Sequence, residues 1–241
     1  MHLILLAAGK GSRLPYKYRK NPKCLARVNG KSILEHNLNF YKKFKYKTII
    51  VGYRNKKLKS FNNKNRFCSV VNRQYKRTNM VYSLFKTSKI KSDYVVICYS
   101  DIIFDKNIYE NISSKKNTII LKKNWLKVWE GRMKYKEIIK DAEDVKVKNN
   151  KIISIGEKIK KKLPKYQYMG IVKMHKEKFF KLKKFFKKNN NYKIDLTSFL
   201  NLVIKKKLMS FNAIITDKFW YEIDTLRDIK FTEKNLLKKL N

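Results

Sequence analysis

The sequence predicts an α/β protein: a Rossmann-like three-layer α/β/α sandwich around a mostly parallel, mixed central sheet. Three observations predict it. Leu3 to Leu6 form a short apolar run that stops at Ala7-Ala8-Gly9, as a buried parallel strand ending in a glycine turn would. Apolar and amphipathic segments then alternate in a β-α-β-α-β order, which calls for parallel strands joined by right-handed crossovers. Tyr94 to Cys98 make a further buried run leading to Asp101, and open α/β sheets place ligands at the carboxyl ends of such strands.

At 241 residues, 43% of them hydrophobic, the chain is long and apolar enough for a substantial core. It reads as one domain, 1–241, with a first half over 1–105 and a second half with a terminal helix over 106–241. No run of about 18 apolar residues occurs, so no membrane span is expected. The first apolar run is too short for a signal peptide and lacks a basic segment before it. Cys24, Cys68 and Cys98 have neither metal-ligand spacing nor a disulfide framework, so a cytoplasmic setting is expected. The net charge of +42 raises a nucleic-acid reading. Lysine is spread through nearly every segment, however, with no basic tail or nucleic-acid module, so no specific nucleic-acid partner is expected.

The elements follow in order. Gly9 and Gly11 give the turn backbone angles closed to other residues and let a ligand approach the main chain. Their inward N–H groups would cradle an anion, and Arg13 and Lys23 bring positive charge to the same loop. A polyphosphate is the simplest ligand; a plain strand-to-helix turn is the alternative. The Walker pattern is absent, and Leu14 replaces the third glycine of a dinucleotide fingerprint. Lys31 to Tyr41 put Ile33, Leu34, Leu38 and Tyr41 on one helical face. Strands follow at Thr48–Gly52 and Phe67–Val71, with a weaker helix between them. Thr78 or Asn79 can cap a helix that turns Met80, Leu84 and Phe85 inward.

Asp101, at the end of its strand, reads either as a Mg²⁺ ligand facing the polyphosphate loop or as a helix cap. After a strand at Asn117–Leu121 come Trp125 and Trp129, then three acids within Asp141 to Asp144, where the whole chain has 18. These acids either tip a hairpin formed by Val145–Val147 and Ile152–Ile155 or recognise an ammonium group, which Trp125 and Trp129 would wall. Helices over Lys176–Lys188 and Asp195–Ile204, the second capped by Asp195, read as scaffold. A last strand through Trp220 and Ile223 runs into Asp224, and Thr225 caps a terminal helix bearing Ile229, Leu236, Leu237 and Leu240, with Asp228 as first-turn helix chemistry.

Several of these blocks resemble a known family. Leu6-Ala7-Ala8-Gly9-x-Gly11-x-Arg13, followed after eight intervening residues by Pro22-Lys23, resembles the MobA-like and sugar-phosphate nucleotidyltransferase superfamily, which joins an NTP to a phosphorylated small molecule. The chain departs from the family's Arg-Leu-x-Pro-Leu-Thr between Pro15 and Tyr18. Thr78-Asn79-x-x-x-Ser83-Leu84 resembles the pocket-lining segment of phosphocholine-type cytidylyltransferases. Trp220-x-Glu222-Ile223-Asp224-Thr225-x-x-Asp228 is similar to the family's C-terminal motif. With Thr197-Ser-Phe-Leu, the whole looks most like cytidylyltransferases that act on phosphoglutamine in capsule or surface polysaccharide biosynthesis.

The resemblance implies a Mg²⁺-dependent cytidylyltransferase with a small acceptor-side insertion. Asp101 and Asp224 would hold the Mg²⁺, Arg13 the triphosphate, and Lys23 the developing negative charge. Leu6, Ala7, Ala8, Gly9, Gly11, Asn79 and Ser100 would bind CTP. Tyr82, Trp125, Glu143, Lys158, Tyr168 and Gly170 would bind an amine-bearing acceptor such as phosphoglutamine, phosphocholine or aminoethylphosphonate. Pyrophosphate would leave, and because the acceptor phosphate is already anionic, no general base is required. A sugar-1-phosphate nucleotidylyltransferase is the second enzymatic reading, and a non-catalytic nucleotide or polyanion binder the third. The oligomeric state stays open, with a homodimer compatible.

Overall fold

The computed structural model describes residues 1–114, 116–159 and 162–237. The apolar run at the N-terminus becomes β1 (His2–Ala7), followed by a small hairpin of β2 (Arg27–Val28) and β3 (Lys31–Ser32). Short helices α1 (Ile33–His36) and α2 (Leu38–Tyr41) lead to β4 (Tyr46–Val51), α3 (Lys59–Lys64), β5 (Cys68–Val71) and α4 (Met80–Leu84). Then come β6 (Tyr94–Tyr99), β7 (Ile102–Phe104), α5 (Ile108–Asn111), β8 (Thr118–Lys122), α6 (Trp125–Glu130) and α7 (Tyr135–Asp141). The rest comprises β9 (Glu143–Lys148), β10 (Lys151–Lys158), β11 (Gln167–His175), α8 (Lys176–Asn189), α9 (Leu196–Lys205), β12 (Asn212–Thr216), β13 (Trp220–Glu222) and α10 (Leu226–Leu237).

Nine strands form one sheet in the order β5-β4-β1-β6-β11-β8-β12-β10-β9. Within it β11 and β10 run against the rest, so the sheet is mixed but mostly parallel. Along β1 the side chains alternate between two cores. Leu3, Leu5 and Ala7 pack with Phe40, Val96 and Trp125 on one face. Ile4 and Leu6 pack with Val95, Phe179 and Leu200 on the other. A strand apolar on both faces needs helices on both faces, and each fully buried Leu or Ile contributes about 1.5–3 kcal/mol. A third cluster of Leu14, Val28, Ile33, Ile103 and Ile223 ties the glycine loop to the β7–β13 ribbon.

Several elements differ from the sequence reading. The helix expected over 31–41 breaks at Asn37, whose buried amide donates to the carbonyls of Ile33 (3.2 Å) and Ile102 (2.7 Å). Asparagine competes with helix bonding in this way, and here it ties α1 to β7. The hairpin forms as β9–β10, but its tip is Asn149-Asn150, both at positive φ (49° and 58°). That is the residue pair and backbone hand a tight hairpin favours. The acids at 141–144 therefore end α7 and begin β9, away from the tip. After Pro15 the loop forms a 3₁₀ turn, Tyr16–Lys20, with Tyr16 exposed. Leu240 lies outside the described residues. No helix among the described residues is long and apolar enough to cross a membrane.

Candidate active site

Parallel strands β1 and β6 lie side by side, with Leu6 paired to Tyr99, so their carboxyl ends open on the same rim. Just beyond β6, Ser100 donates to the Leu6 carbonyl at 2.6 Å and locks the two ends together. Gly11 has φ +63°, and a Cβ there would come within 2.8 Å of the Lys23 Cβ. The absent side chain lets the turn fold back over Lys23. Gly9 differs from expectation. It is not among the glycines at positive φ, and a Cβ there would meet nothing within 4 Å. Its bareness opens the turn toward a ligand.

Lys23 joins the most distant parts of the chain. Its Nζ donates to Asp101 Oδ2 at 2.7 Å and also to Asp224 Oδ1. Arg13 completes the group with a nitrogen 2.8 Å from Asp224 Oδ2, and its other terminal nitrogen lies 3.6 Å from Asp141. Burial disfavours charge on Lys23, but Asp101 and Asp224 outweigh it and raise the ammonium pKa. Burial would likewise raise the Asp224 carboxyl, yet Lys23 and Arg13 hold it below the usual range. Both groups therefore stay charged at neutral pH. Cys24 is no nucleophile: burial pushes its thiol up to about 12.

A cavity of about 420 Å³ spreads over this cluster, lined by Leu6 to Gly9, Gly11, Arg13, Lys23, Tyr75, Asn79, Ser100, Asp101 and Asp224 among others. Asn79 caps α4, its side chain accepting from Met80 N at 2.8 Å. A second cavity of about 230 Å³ shares Arg13 and Met80 with the first. Its wall carries four carboxylates, Asp141, Glu143, Asp195 and Glu222, with Trp129, Tyr168 and Gly170. Burial raises the Glu143 carboxyl; Thr197 opposes the shift by donating to it at 2.9 Å, while Asp195 and Asp141 reinforce it. Burial raises Glu222 to about 8, with Asp224 adding to the shift. Gly170 sits at φ +78°, and a Cβ there would run into the Tyr99 ring at 2.8 Å. Such a concentration of acid in a chain of net charge +42 suits a cationic guest.

Comparison with known proteins fits this geometry. The MobA-like NTP transferase domain model matches residues 3–120. The CTP:phosphoglutamine cytidylyltransferase of Campylobacter jejuni is 30% identical, the match covering 95% of this chain and 98% of that protein. The chain belongs to the MobA-like nucleotidyltransferase family. Solved structures agree on the fold of this nucleotidyltransferase. The inositol-1-phosphate CTP transferase from T. maritima aligns with a TM-score of 0.77 at 20% identity, over 97% of this chain and 95% of that one. The CTP:phosphocholine cytidylyltransferase from Streptococcus pneumoniae aligns at 0.75 and 20%, over 98% of both.

Most of the residues singled out in this nucleotidyltransferase converge. Arg13, Lys23, Asp101, Asp224, Asn79, Ser100 and the 6–11 turn share the first cavity, and Glu143, Tyr168 and Gly170 share the second. Three do not join them. Trp125 is a core residue whose indole N–H donates to the Pro164 carbonyl at 2.9 Å. Trp129, one turn on, faces the second cavity instead. Tyr82 points elsewhere, donating to Gln74 with Lys86 over its ring. Lys158 ends β10, exposed to solvent. Conversely, Asp195 and Thr197 line the second cavity from a helix start that read as scaffold. Asp195 does cap α9, accepting from Ser198 N at 2.8 Å, so its sequence signal as a cap concealed its place in the wall. Asp228, read as first-turn helix chemistry, accepts from the backbone N–H groups of Asp224 (2.9 Å) and Thr225 (2.6 Å).

Proposed function

We propose that the protein transfers CMP from CTP to a small, amine-bearing phosphorylated acceptor and releases pyrophosphate. A phosphoglutamine-like acceptor is preferred, with phosphocholine and aminoethylphosphonate as competitors. The observation that carries this reading is the pair of cavities sharing Arg13. One offers a glycine turn and cations suited to a triphosphate; the other offers carboxylates suited to an ammonium.

The roles follow from what each group can do. The open turn at Gly9 and the main chain of Leu6 to Ala8 would take the nucleotide, with Asn79 and Ser100 shaping its pocket. Arg13 would grip phosphate oxygens as a planar fork, and Lys23 would follow the charge that develops as pyrophosphate departs. The acceptor phosphate attacks as an anion, so positioning and charge neutralisation carry the rate. Glu143, with Asp141 and Asp195, would hold the ammonium beside Trp129 and Tyr168, and Gly170 leaves room for it.

A Mg²⁺ requirement fits the donor set. Asp101 and Asp224 converge on one cation already, the Lys23 ammonium, and Asp101 Oδ1 is buried with no hydrogen-bond partner among the described residues. Carboxylate oxygens are the ligands magnesium takes alongside substrate phosphates. No third His, Cys, Asp or Glu completes a protein-only metal cage among the described residues, consistent with an ion that arrives with phosphate ligands. When bound, the ion would polarise phosphoryl oxygens.

The test is pyrophosphate release across four NTPs and a panel of phosphorylated acceptors. CTP with an amine-bearing acceptor is expected to dominate. Strong turnover of a sugar phosphate with none of the amine-bearing acceptors would overturn the reading.

A further inference from the structure

Glu222 and Asp224 are two residues apart, yet they face different cavities: Glu222 lines the carboxylate-rich one and Asp224 the one with the glycine turn. Between them Ile223 is buried, and its N–H donates to the Asp101 carbonyl at 2.9 Å. This short segment is thus the hinge between the two halves of the site. Two carboxyl groups so close, both largely out of water, resist being charged together, as the Glu222 carboxyl, raised by burial and further by Asp224, reflects, and something must fix their spacing.

Arg132 does so from outside either of those cavities. It follows Gly131 in the link between α6 and α7, and its side chain is almost wholly buried. One terminal nitrogen lies 2.7 Å from Asp228 Oδ1 and the other 3.4 Å from Glu222 Oε2. The guanidinium also lies over the Trp129 ring, 4.8 Å from its centre, and Trp129 walls the carboxylate-rich cavity. Asp228 spends its second oxygen on the other side of the hinge. Oδ2 accepts from Asp224 N at 2.9 Å, from Thr225 N at 2.6 Å and from the Thr225 hydroxyl at 2.9 Å.

We propose that Arg132 is a positioning residue: acting directly on Glu222 and Trp129, and through Asp228 on the Asp224 backbone, it sets the geometry of both substrate sites at once. The proposal rests on the functional reading above. A lysine cannot replace it, because one ammonium cannot span Asp228 and Glu222 as a planar fork does. Partners that orient a site's charged ligands are commonly worth about 10–100-fold in affinity or activity.

The test uses the full chain with Arg132→Lys and Asp228→Asn. Mn²⁺ binding in the presence of CTP is followed by electron paramagnetic resonance, without acceptor, and steady-state constants are measured beside it. Arg132→Lys is expected to weaken Mn²⁺ binding and raise the acceptor KM, each about tenfold. Asp228→Asn is expected to weaken Mn²⁺ binding with a smaller change in acceptor KM, since it leaves Glu222 its arginine. A folded Arg132→Lys protein with a lower Tm but unchanged Mn²⁺ binding and acceptor KM would overturn the proposal and leave a purely structural ion pair. If Arg132→Lys does not fold, Asp228→Asn decides by the metal measurement alone, and unchanged binding overturns the proposal. A wild-type protein that binds Mn²⁺ and CTP yet turns over no amine-bearing acceptor would sink the functional reading, while the binding comparison still judges Arg132.

Discussion

The two cavities that meet at Arg13 are built in opposite ways. The glycine-turn cavity hangs on one local device: adjacent parallel strands, β1 and β6, end together and their loops supply most of the lining. The carboxylate-rich cavity has no such device. Asp141 ends a helix, Glu143 opens β9, Asp195 caps α9 and Glu222 ends β13. The first is a pocket made by topology, the second by convergence of three separate chain segments, around 141–143, 195 and 222. A triphosphate presents the same charges in every NTP-using enzyme, so a local motif suffices for it. An acceptor differs from enzyme to enzyme, and scattered side chains can change one at a time.

Removing the shared electrostatics should have the largest effect. Asp224→Asn is expected to cut turnover by about 10²–10³, since Asp224 faces Lys23 and Arg13 together. Turnover within a few-fold of wild type would show that the chemistry does not depend on the carboxylate that faces Lys23 and Arg13. Glu143→Gln should separate the cavities instead. Losing one charged contact of about 1.5–3 kcal/mol raises the acceptor KM roughly 10–100-fold while the KM for CTP stays put. A shift in the CTP constant alone would contradict the division of labour.

Gly11→Ala probes the motif-built side. A residue with a Cβ at φ +63°, 2.8 Å from the Lys23 Cβ, carries a left-handed penalty of about 1–2 kcal/mol and pushes on Lys23. Thermal unfolding should register that loss, and the CTP KM should rise several-fold with the acceptor KM little changed. The smallest effect concerns the frame beneath that side. Buried His2 bonds to Thr48 Oγ1 at 2.9 Å and accepts from Lys91 N at 3.1 Å; burial, with the N-terminal charge and Lys91, lowers it to about 4. The unfolded chain, with a pKa near 6.5, takes up that proton first as pH falls. Stability is therefore full above about 6.5 and declines toward 4. His2→Gln should flatten that part of a Tm-against-pH curve, and an unchanged slope would mean His2 is already free to ionise.

The same contrast explains what the sequence disclosed. That Gly9, Gly11, Lys23, Asp101 and Asp224 come together was legible because they follow strands whose carboxyl ends an α/β sheet brings to one rim. The fold class was legible for a related reason, since a strand buried on both faces has few homes. Trp125 and Trp129 lie one helical turn apart with the same character, and only tertiary packing decides that the second faces the cavity. Asp195 looked like a helix cap and is one, so its place in the wall left no separate trace. Asn37 hid the break in the first helix because its partner, the Ile102 carbonyl, is distant in sequence.

Arg13 lies half-exposed between Asp224 and Asp141. An engineer who replaced Asp141 to admit a different acceptor would release one end of that guanidinium and, on the proposed roles, disturb the nucleotide side as well. Substrate scope would then be a joint property, and variants evolved toward a new acceptor should acquire compensating changes around the glycine turn.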